Sequence, residues 1–305
     1  MADGAGATSR STAASDGGHL GMLIAVTVLW GLNWPSMKLA VGGFEPWTFR
    51  SLVLVMAAMT LFVIAGVRGD RLSLPRHAWL PILLPAATVT GWHMFSAFGL
   101  THIGSGRAAI IAFTMPVWAS ILSILFLGER INAARIGAMI LGFIGLTLLL
   151  VDDVAALGAA PIGVVLMLLA ALSWAVGTVA VKAFTWGVNA IVLTAWQLAI
   201  GAIPIVGVWL AMGANLDVSS VTPPAVFGLA YTTFVAMVFC FCSYVWLVTV
   251  LPATVAAIST MAIPAVGLVG SALLVGEPID AAEVIALGFV AGGQALLYLP
   301  RRRIG

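Results

Sequence analysis

Long apolar runs separated by short polar turns dominate the pattern of this 305-residue chain. Each run is about 20 residues long, the length of helix that crosses the roughly 30 Å hydrocarbon core of a bilayer. The pattern therefore predicts ten membrane-spanning helices, which we name spans 1 to 10. In chain order their expected bounds are Leu20–Val41, Pro46–Val67, His77–Gly99, Ser105–Leu127, Ala133–Val151, Pro161–Phe184, Ala190–Met212, Pro223–Leu247, Pro252–Val275 and Ala281–Leu299.

The composition, together with the length of the apolar runs, predicts an all-α polytopic membrane protein. Hydrophobic residues make up 62% of the chain and charged residues 8%, with a mean hydropathy of +1.15. Soluble domains carry about 25% charge, so the surface of this protein requires lipid. The net charge of +2 is too small to indicate a nucleic-acid partner. We find no phosphate-binding glycine loop and no cluster of metal-ligand spacing, so we expect no cofactor, no metal and no enzyme activity.

The chain contains an internal repeat. Residues 108–134 and 256–282 align without a gap, and 11 of the 27 positions are identical. A second pair lies upstream, WGLNWPSMK at residues 30–38 against WAVGTVAVK at residues 174–182. Duplicated halves in a membrane protein indicate a transporter whose binding site lies between the halves.

The distribution of charge predicts how the halves are oriented. Most arginines fall on the side of the ten spans that carries both termini, which the positive-inside rule places in the cytosol. Each half has an odd number of spans, and the basic turn GERINAAR has an acidic counterpart, GEPIDAAE, on the opposite side. We therefore expect inverted repeats in the inner (plasma) membrane. The expected segments are a disordered cytosolic tail (1–19) without the apolar core of a signal peptide, a first repeat (20–151), an external linker (152–160), a second repeat (161–300) and a basic cytosolic tail (301–305).

Four motifs give the chain a family resemblance. They are WGLNWPSMK in span 1, LTHIGSGRAAIIAFTMPVW across spans 3 and 4, LGERI at the end of span 4 and VGEPID at the end of span 9. Together they resemble the drug/metabolite transporter superfamily in its EamA-type ten-helix branch, and within it the YddG-type aromatic amino-acid exporters. The resemblance implies two inverted five-helix repeats around a central cavity, lined mainly by spans 1, 3, 4, 6, 8 and 9.

Polar and aromatic residues inside those spans are the candidate substrate-binding residues. In span 1, Trp30, Asn33, Trp34 and Met37 share one helix face, and an amide at membrane depth requires a partner. The alternative is a structural role, in which these groups only hold neighbouring helices together or anchor the protein at the membrane interface. The other candidates are Trp92, His93, Ser96, Thr114, Met115, Trp118, Trp174, Thr178, Tyr244, Ser259 and Thr260.

Other residues suggest bending and turn roles. Pro116 and Pro264 occupy matching positions in spans 4 and 9 and are expected to bend them, because proline removes a helix hydrogen bond. Glu129 and Glu277 end the same spans, and we interpret them as structural turn residues that face the N-terminus of the next helix. Lys38 is expected to extend towards the membrane interface.

The function predicted from these features is amino-acid export by alternating access. Tryptophan walls attract ammonium groups and stack on planar side chains, which favours aromatic and other apolar amino acids. Uniport or facilitated diffusion is favoured over proton antiport, since His93 is the one evident titratable group in mid-span. The alternatives are a polyspecific exporter of drug-like or nucleoside metabolites, with proton coupling through His93 as a variant, and a membrane scaffold without transport. A monomer in the lipid bilayer is expected.

Overall fold

The computed structural model describes residues 21–128, eight helical residues between 133 and 148, and residues 161–213, 221–241, 243 and 263–298. This part of the chain is helical and contains no strand. Five helices are long and apolar enough to cross a membrane: Pro46–Val67, Ser105–Leu127, Ile162–Ala183, Ala190–Ala211 and Pro223–Cys240. The all-helical membrane character is therefore confirmed, while the count of ten spans and the inversion of the repeats stay predictions.

The span numbers serve below as names for the observed helices. Span 1 consists of residues 21–31 and Asn33–Val41, separated by a turn at Leu32. Span 4 is likewise divided, into Ser105–Ala112 and Met115–Leu127. The remaining helices are Pro46–Val67 (span 2), Leu83–His102 (span 3), Pro161–Ala183 (span 6), Ala190–Ala211 (span 7), Pro223–Ala230 with Tyr231–Cys240 (span 8), Ile263–Val275 (span 9) and Ala281–Tyr298 (span 10).

Span 3 begins later than the apolar pattern predicts. Residues Arg76–Ala78 form a short 3-10 turn, and the helix starts at Leu83 and continues to His102. Proline favours the first turn of a helix, where its missing N–H removes no hydrogen bond. The helix begins two residues before Pro85, so this proline lies in its first turn.

The interruption of span 4 falls next to Pro116. The Thr114 amide bonds the Ile111 carbonyl at 3.0 Å, and the Val117 amide bonds the Thr114 carbonyl at 2.9 Å. Both bonds are one residue shorter than an α-helical bond, as expected where proline removes a donor. In span 9, Pro264 lies in the helix Ile263–Val275, and its expected role in bending the span stays a prediction.

Span 8 changes its helical period partway along. Pro223–Ala230 is α-helical, and Tyr231–Cys240 is a π-helix. Wide helical turns of this kind are rare and are frequently found at functional sites. The hydroxyl of Tyr231 anchors the change by donating to the Leu29 carbonyl of span 1 at 3.0 Å.

Helices of the first half pack mainly on helices of the second half. Span 3 lies on span 6, span 2 on span 7, span 1 on span 8, and span 4 on spans 6 and 9. The largest buried cluster of apolar side chains draws on both halves and includes Trp34, Phe49 and Leu198. The region between the halves is therefore the interior of the bundle.

Candidate functional site

Aromatic rings from four spans meet in this interior. Trp34 contacts Trp92 (centroids 6.3 Å apart), and Trp92 contacts Trp174 (5.0 Å). Trp174 in turn contacts Phe241 (5.8 Å), which contacts Trp30 (6.1 Å). We call these five residues the aromatic chain. It joins spans 1, 3 and 6 to span 8, so four of the predicted binding residues lie together.

The members of the aromatic chain differ in burial. Trp34 is fully packed, with 4% of its surface exposed, whereas the other four rings are only partly buried. Edge-to-face and tilted contacts leave ring faces available to a solute. Rings that meet across four spans and still keep exposed surface are what a solute-binding space between helices requires.

A buried polar layer adjoins the aromatic chain. Arg50 of span 2 is 1% exposed, and its Nε donates to the His93 carbonyl at 2.9 Å. Its Nη2 donates to Ser96 Oγ at 2.8 Å and lies 3.3 Å from Met37 Sδ. We call Arg50, Met37, His93 and Ser96 the buried polar layer. Three of its members were predicted binding residues, and they come from spans 1 and 3.

Two buried acceptors near the aromatic chain have no hydrogen-bond partner among the described residues. His93 Nδ1 lies 2.8 Å from the Val89 carbonyl. A carbonyl oxygen only accepts, so Nδ1 carries the proton and Nε2 of the neutral ring presents a lone pair. That Nε2 is unpaired, and so is Oδ1 of Asn33, which is 7% exposed. Buried polar atoms are normally paired, so each of these is a place where a ligand or water would bond.

Three of the other predicted binding residues form hydrogen bonds within their own helices. The hydroxyl of Thr114 donates to the Ile111 carbonyl at 2.7 Å, and Trp118 Nε1 donates to Thr114 Oγ1 at 3.2 Å. Thr178 donates to the Trp174 carbonyl at 3.0 Å, and Met115 packs beside the main core. Predicted residues outside the described part of the chain are Tyr244, Ser259, Thr260 and Glu129.

Glu277 faces a different helix from the one expected. Its carboxylate accepts from the Ser105 amide (3.1 Å), the Ser105 hydroxyl (2.9 Å) and the Gly106 amide (3.3 Å). It therefore caps span 4 of the other half rather than span 10, its neighbour along the chain. Ser105 also bonds Ser271 of span 9 at 2.7 Å. A carboxylate at a helix N-terminus is well placed, because the free amides and the helix dipole stabilise it.

We name the contact of Glu277 with Ser105 and Gly106 the Glu277 latch. Two cations, Arg107 and Lys38, lie beside it. Arg107 forms an ion pair of 3.3 Å with Asp280 across the same two halves. Lys38, which was expected to extend towards the membrane interface, bonds the end of span 3. Its Nζ donates to the Leu100 and Ile103 carbonyls at 2.7 and 3.0 Å, where the last turn of span 3 leaves carbonyls without helical partners.

Sequence reasoning missed two members of this region, Arg50 and Phe241. Arg50 lies four residues after the start of span 2, roughly 6 Å along the helix, a position that by sequence alone falls near a membrane surface. The available signal was an arginine inside an apolar run without an acidic neighbour. Phe241 gave no signal, since phenylalanine is as common on lipid-facing surfaces as in binding sites.

Comparison with known proteins identifies the class of this architecture. The EamA-like transporter family matches residues 18–151 and 161–299. An uncharacterized transporter of Bacillus subtilis, YvbV, is 32% identical over 165 residues, 53% of this chain and 52% of the relative. A second B. subtilis transporter, YoaV, is 27% identical over 162 residues, 52% of this chain and 56% of the relative. The alignments with these curated relatives thus span about half the length of each.

One relative has a named substrate. A protein of Streptantibioticus cattleyicolor described as a probable terminal-alkyne amino-acid exporter is 25% identical over 114 residues, 37% of this chain and 38% of that protein.

A solved crystal structure superimposes with a TM-score of 0.66 at 21% identity, covering 93% of this chain and 97% of the other. At that identity the likeness shows a shared fold.

Proposed function

Because this chain belongs to the EamA-like transporter family and is a membrane transporter, we propose that it exports amino acids, aromatic and other apolar ones in particular. The proposal extends to alternating access between two inverted five-helix halves, in the plasma membrane with both termini cytosolic. It includes the finer assignment to the aromatic amino-acid exporters. The arginine distribution supports the orientation, and the relative named as an amino-acid exporter supports the substrate class.

The observation that carries the substrate class is the aromatic chain beside the buried polar layer. Tryptophan faces bind ammonium groups by cation–π attraction and stack on planar side chains. The unpaired acceptors Asn33 Oδ1 and His93 Nε2 would receive hydrogen bonds from an ammonium group. An amino acid with an apolar side chain satisfies both features, whereas a purely apolar solute leaves the acceptors unpaired.

The pairing of helices supports two related halves. Under the repeat, spans 1 to 5 correspond to spans 6 to 10. Swapping the two halves then maps the packing pairs 2–7 and 4–9 onto themselves, and it maps the pair 3–6 onto the pair 8–1. All four are observed packing pairs, which is the pattern that a two-fold relation between halves produces.

Electrostatics favour uniport over proton antiport through His93. The ring of His93 is buried beside Arg50, so protonation would place a second positive charge in a layer that already holds an unpaired one. Two like charges out of reach of water are unfavourable. His93 is therefore expected to stay neutral during transport.

Flux into and out of proteoliposomes tests the proposed function. We expect vesicles loaded with radiolabelled phenylalanine or tryptophan to lose the label down its gradient at a rate that depends on the protein. A pH gradient should produce no accumulation, and His93→Gln should leave this insensitivity unchanged. Accumulation driven by a pH gradient and abolished in His93→Gln would contradict uniport. Absence of amino-acid flux beyond that of empty vesicles would contradict the substrate class.

The Glu277 latch supports alternating access, because it joins the two halves at one end of the bundle. Hydrogen bonds to a charged group contribute about 1.5–3 kcal/mol each. Glu277→Ala should therefore favour opening at this end by roughly tenfold or more. The readout is labelling of Ala109→Cys, one turn deeper in span 4 and fully buried, by a membrane-impermeant maleimide. The background replaces Cys240 and Cys242 with alanine, and we expect labelling to be at least tenfold faster in Glu277→Ala.

The matched control is Glu45→Ala. Glu45 also caps a helix, accepting from the Thr48 amide at 3.4 Å, but it caps its own span and joins no second half. Labelling should remain slow in this variant. Equal labelling rates in Glu277→Ala and Glu45→Ala would show that the latch does not control access.

A further inference from the structure

The charge of Arg50 is not balanced by the described protein. Its side chain is 1% exposed, so water does not solvate it. The groups around it are neutral: a backbone carbonyl, a hydroxyl, a thioether and the face of the Phe49 ring, 4.7 Å from Cζ. No carboxylate in the part of the chain that the structure describes lies within 4 Å of the guanidinium. Arginine stays charged in proteins, so Arg50 does not avoid the cost of burying its charge by losing a proton.

The position of Arg50 lies well inside the bundle. The carbonyl that it bonds belongs to His93, nine residues before the end of span 3, roughly 13 Å along that helix. A buried charge without a counter-charge is unfavourable, and such residues in membrane proteins typically mark a substrate path. Nη1 has no hydrogen-bond partner among the described residues, since the bonds of Arg50 come from Nε and Nη2. Donor capacity therefore remains on the guanidinium.

The aromatic chain lies directly beside this charge. Met37, which Arg50 contacts, follows Trp34 by one helical turn, and His93 follows Trp92 in sequence. A cation therefore sits at one side of the aromatic rings. The unpaired acceptors Asn33 Oδ1 and His93 Nε2 belong to the same two helices as those rings. A positive charge, hydrogen-bond acceptors and aromatic faces match the carboxylate, the ammonium group and the side chain of one solute.

We infer that Arg50 is the specificity-determining residue of the proposed amino-acid site and selects solutes that carry a carboxylate. The inference rests on the proposed function and goes beyond it, because it states which end of the substrate is required. Arg50 attracts the carboxylate of the solute through its electrostatic field and through the hydrogen-bond donors that remain on its guanidinium. Decarboxylated amines, although they fit the aromatic rings equally well, meet an uncompensated like charge and are rejected.

A different role for Arg50 would be to hold spans 1, 2 and 3 together through its contacts with Met37, His93 and Ser96. That role depends on hydrogen bonding and packing and not on the charge of the solute. The two roles therefore differ in what replacement of Arg50 does to ligand preference, rather than in whether replacement lowers binding.

The test uses three ligands with the same phenyl ring: L-phenylalanine, 3-phenylpropanoate and 2-phenylethylamine. Binding to the purified full-length protein is measured by quenching of its intrinsic tryptophan fluorescence. Wild-type protein should bind both carboxylates more tightly than the amine. Two unit charges about 8 Å apart at an effective dielectric constant of about 20 correspond to roughly a 30-fold change in the dissociation constant. Because the carboxylate is attracted and the amine is repelled, wild-type protein is expected to prefer 3-phenylpropanoate over 2-phenylethylamine by at least about 30-fold.

Three variants separate charge from packing. Arg50→Lys replaces the guanidinium with an ammonium group, which a bound carboxylate stabilises in its charged form, and should keep the preference for carboxylates. Arg50→Gln keeps hydrogen-bonding capacity without charge and should lose the preference, with weaker binding of phenylalanine and unchanged or tighter binding of the amine. Arg107→Gln removes a different arginine, one already paired with Asp280, and should leave the preference intact. Size-exclusion profiles in detergent establish that each variant is folded.

Each outcome decides between the roles. An equal loss of all three ligands in both Arg50 variants would assign Arg50 to packing and overturn the inference. Tighter binding of the amine than of 3-phenylpropanoate in wild-type protein would also overturn the inference. If amino-acid flux in vesicles is observed together with that result, the proposed function still stands. Failure of phenylalanine both to bind and to cross in vesicles would overturn the proposed function and the inference with it.

Discussion

Replacing Trp92 with alanine is expected to reduce amino-acid transport by roughly 100-fold while the protein remains folded. Trp92 contacts two other tryptophans, Trp34 at 6.3 Å and Trp174 at 5.0 Å, so it connects span 1 to span 6. Each aromatic pair contributes about 0.5–1.5 kcal/mol beyond its buried area, and a cation–π contact with a substrate about 2 kcal/mol when desolvated. Loss of these contacts corresponds to about a 100-fold change. The measurement is the initial rate of phenylalanine efflux from proteoliposomes.

Two further variants make the Trp92 result specific. Trp92→Phe keeps a ring and should recover a large part of the rate. Trp47→Ala removes a tryptophan of the same size that makes a similar contact, with Phe98 at 5.8 Å, outside the aromatic chain. It should transport at close to the wild-type rate. If Trp92→Ala and Trp47→Ala lose the same fraction of the rate, the aromatic chain is not the substrate site.

Replacing Gly228 with alanine is expected to destabilise the whole bundle. A Cβ atom at this position would overlap the Ser36 carbonyl oxygen and lie 2.7 Å from the Ala40 amide nitrogen. Cβ atoms in folded proteins do not approach backbone atoms this closely, so spans 8 and 1 would have to separate. Overpacking of this kind costs about 1–3 kcal/mol and sometimes more. We expect the melting temperature in detergent to fall by roughly 5–10 °C.

The control for Gly228→Ala is Gly207→Ala in span 7. A Cβ atom there meets nothing within 4 Å, so alanine fits without displacement. Alanine is also the better helix former, by about 1 kcal/mol. Gly207→Ala should therefore melt at the wild-type temperature or slightly above it. Equal melting temperatures for the two variants would mean that spans 1 and 8 are not packed as closely as the structure shows.

Local signals predicted the ends of several helices well. Span 2 was expected at Pro46–Val67 and has those bounds, with Glu45 as a side-chain cap. The start of span 7 is fixed by Asn189, whose side chain accepts from the Val192 amide at 3.0 Å. Caps, prolines and the length of an apolar run act over one or two turns, so the sequence displays them directly. The π-helix of span 8 has no such signal, because its period depends on packing against other spans.

The candidate site was predicted in part. Trp30, Trp34, Trp92 and Trp174 were selected as tryptophans inside cavity-lining spans, and the structure brings their rings together. Their role in substrate binding stays a prediction. Thr114 and Thr178 were selected for the same reason, yet their hydroxyls bond to their own helices. A hydroxyl in a helix can bond the preceding turn, and sequence alone does not distinguish that use from substrate contact.

The sequence by itself determined that this protein is a helical membrane transporter of duplicated origin, and where most of the described helices begin and end. These properties depend on the length of apolar runs, on caps and on internal similarity, all of which are local or countable along the chain. The tertiary structure decided the partners of Arg50 and Glu277. Arg50 bonds residues 43 and 46 positions away, and Glu277 bonds a residue 172 positions away. A single charged side chain does not encode which distant helix end will meet it. The faces that pack together determine that, and so they determine both the latch and the charge beside the aromatic chain.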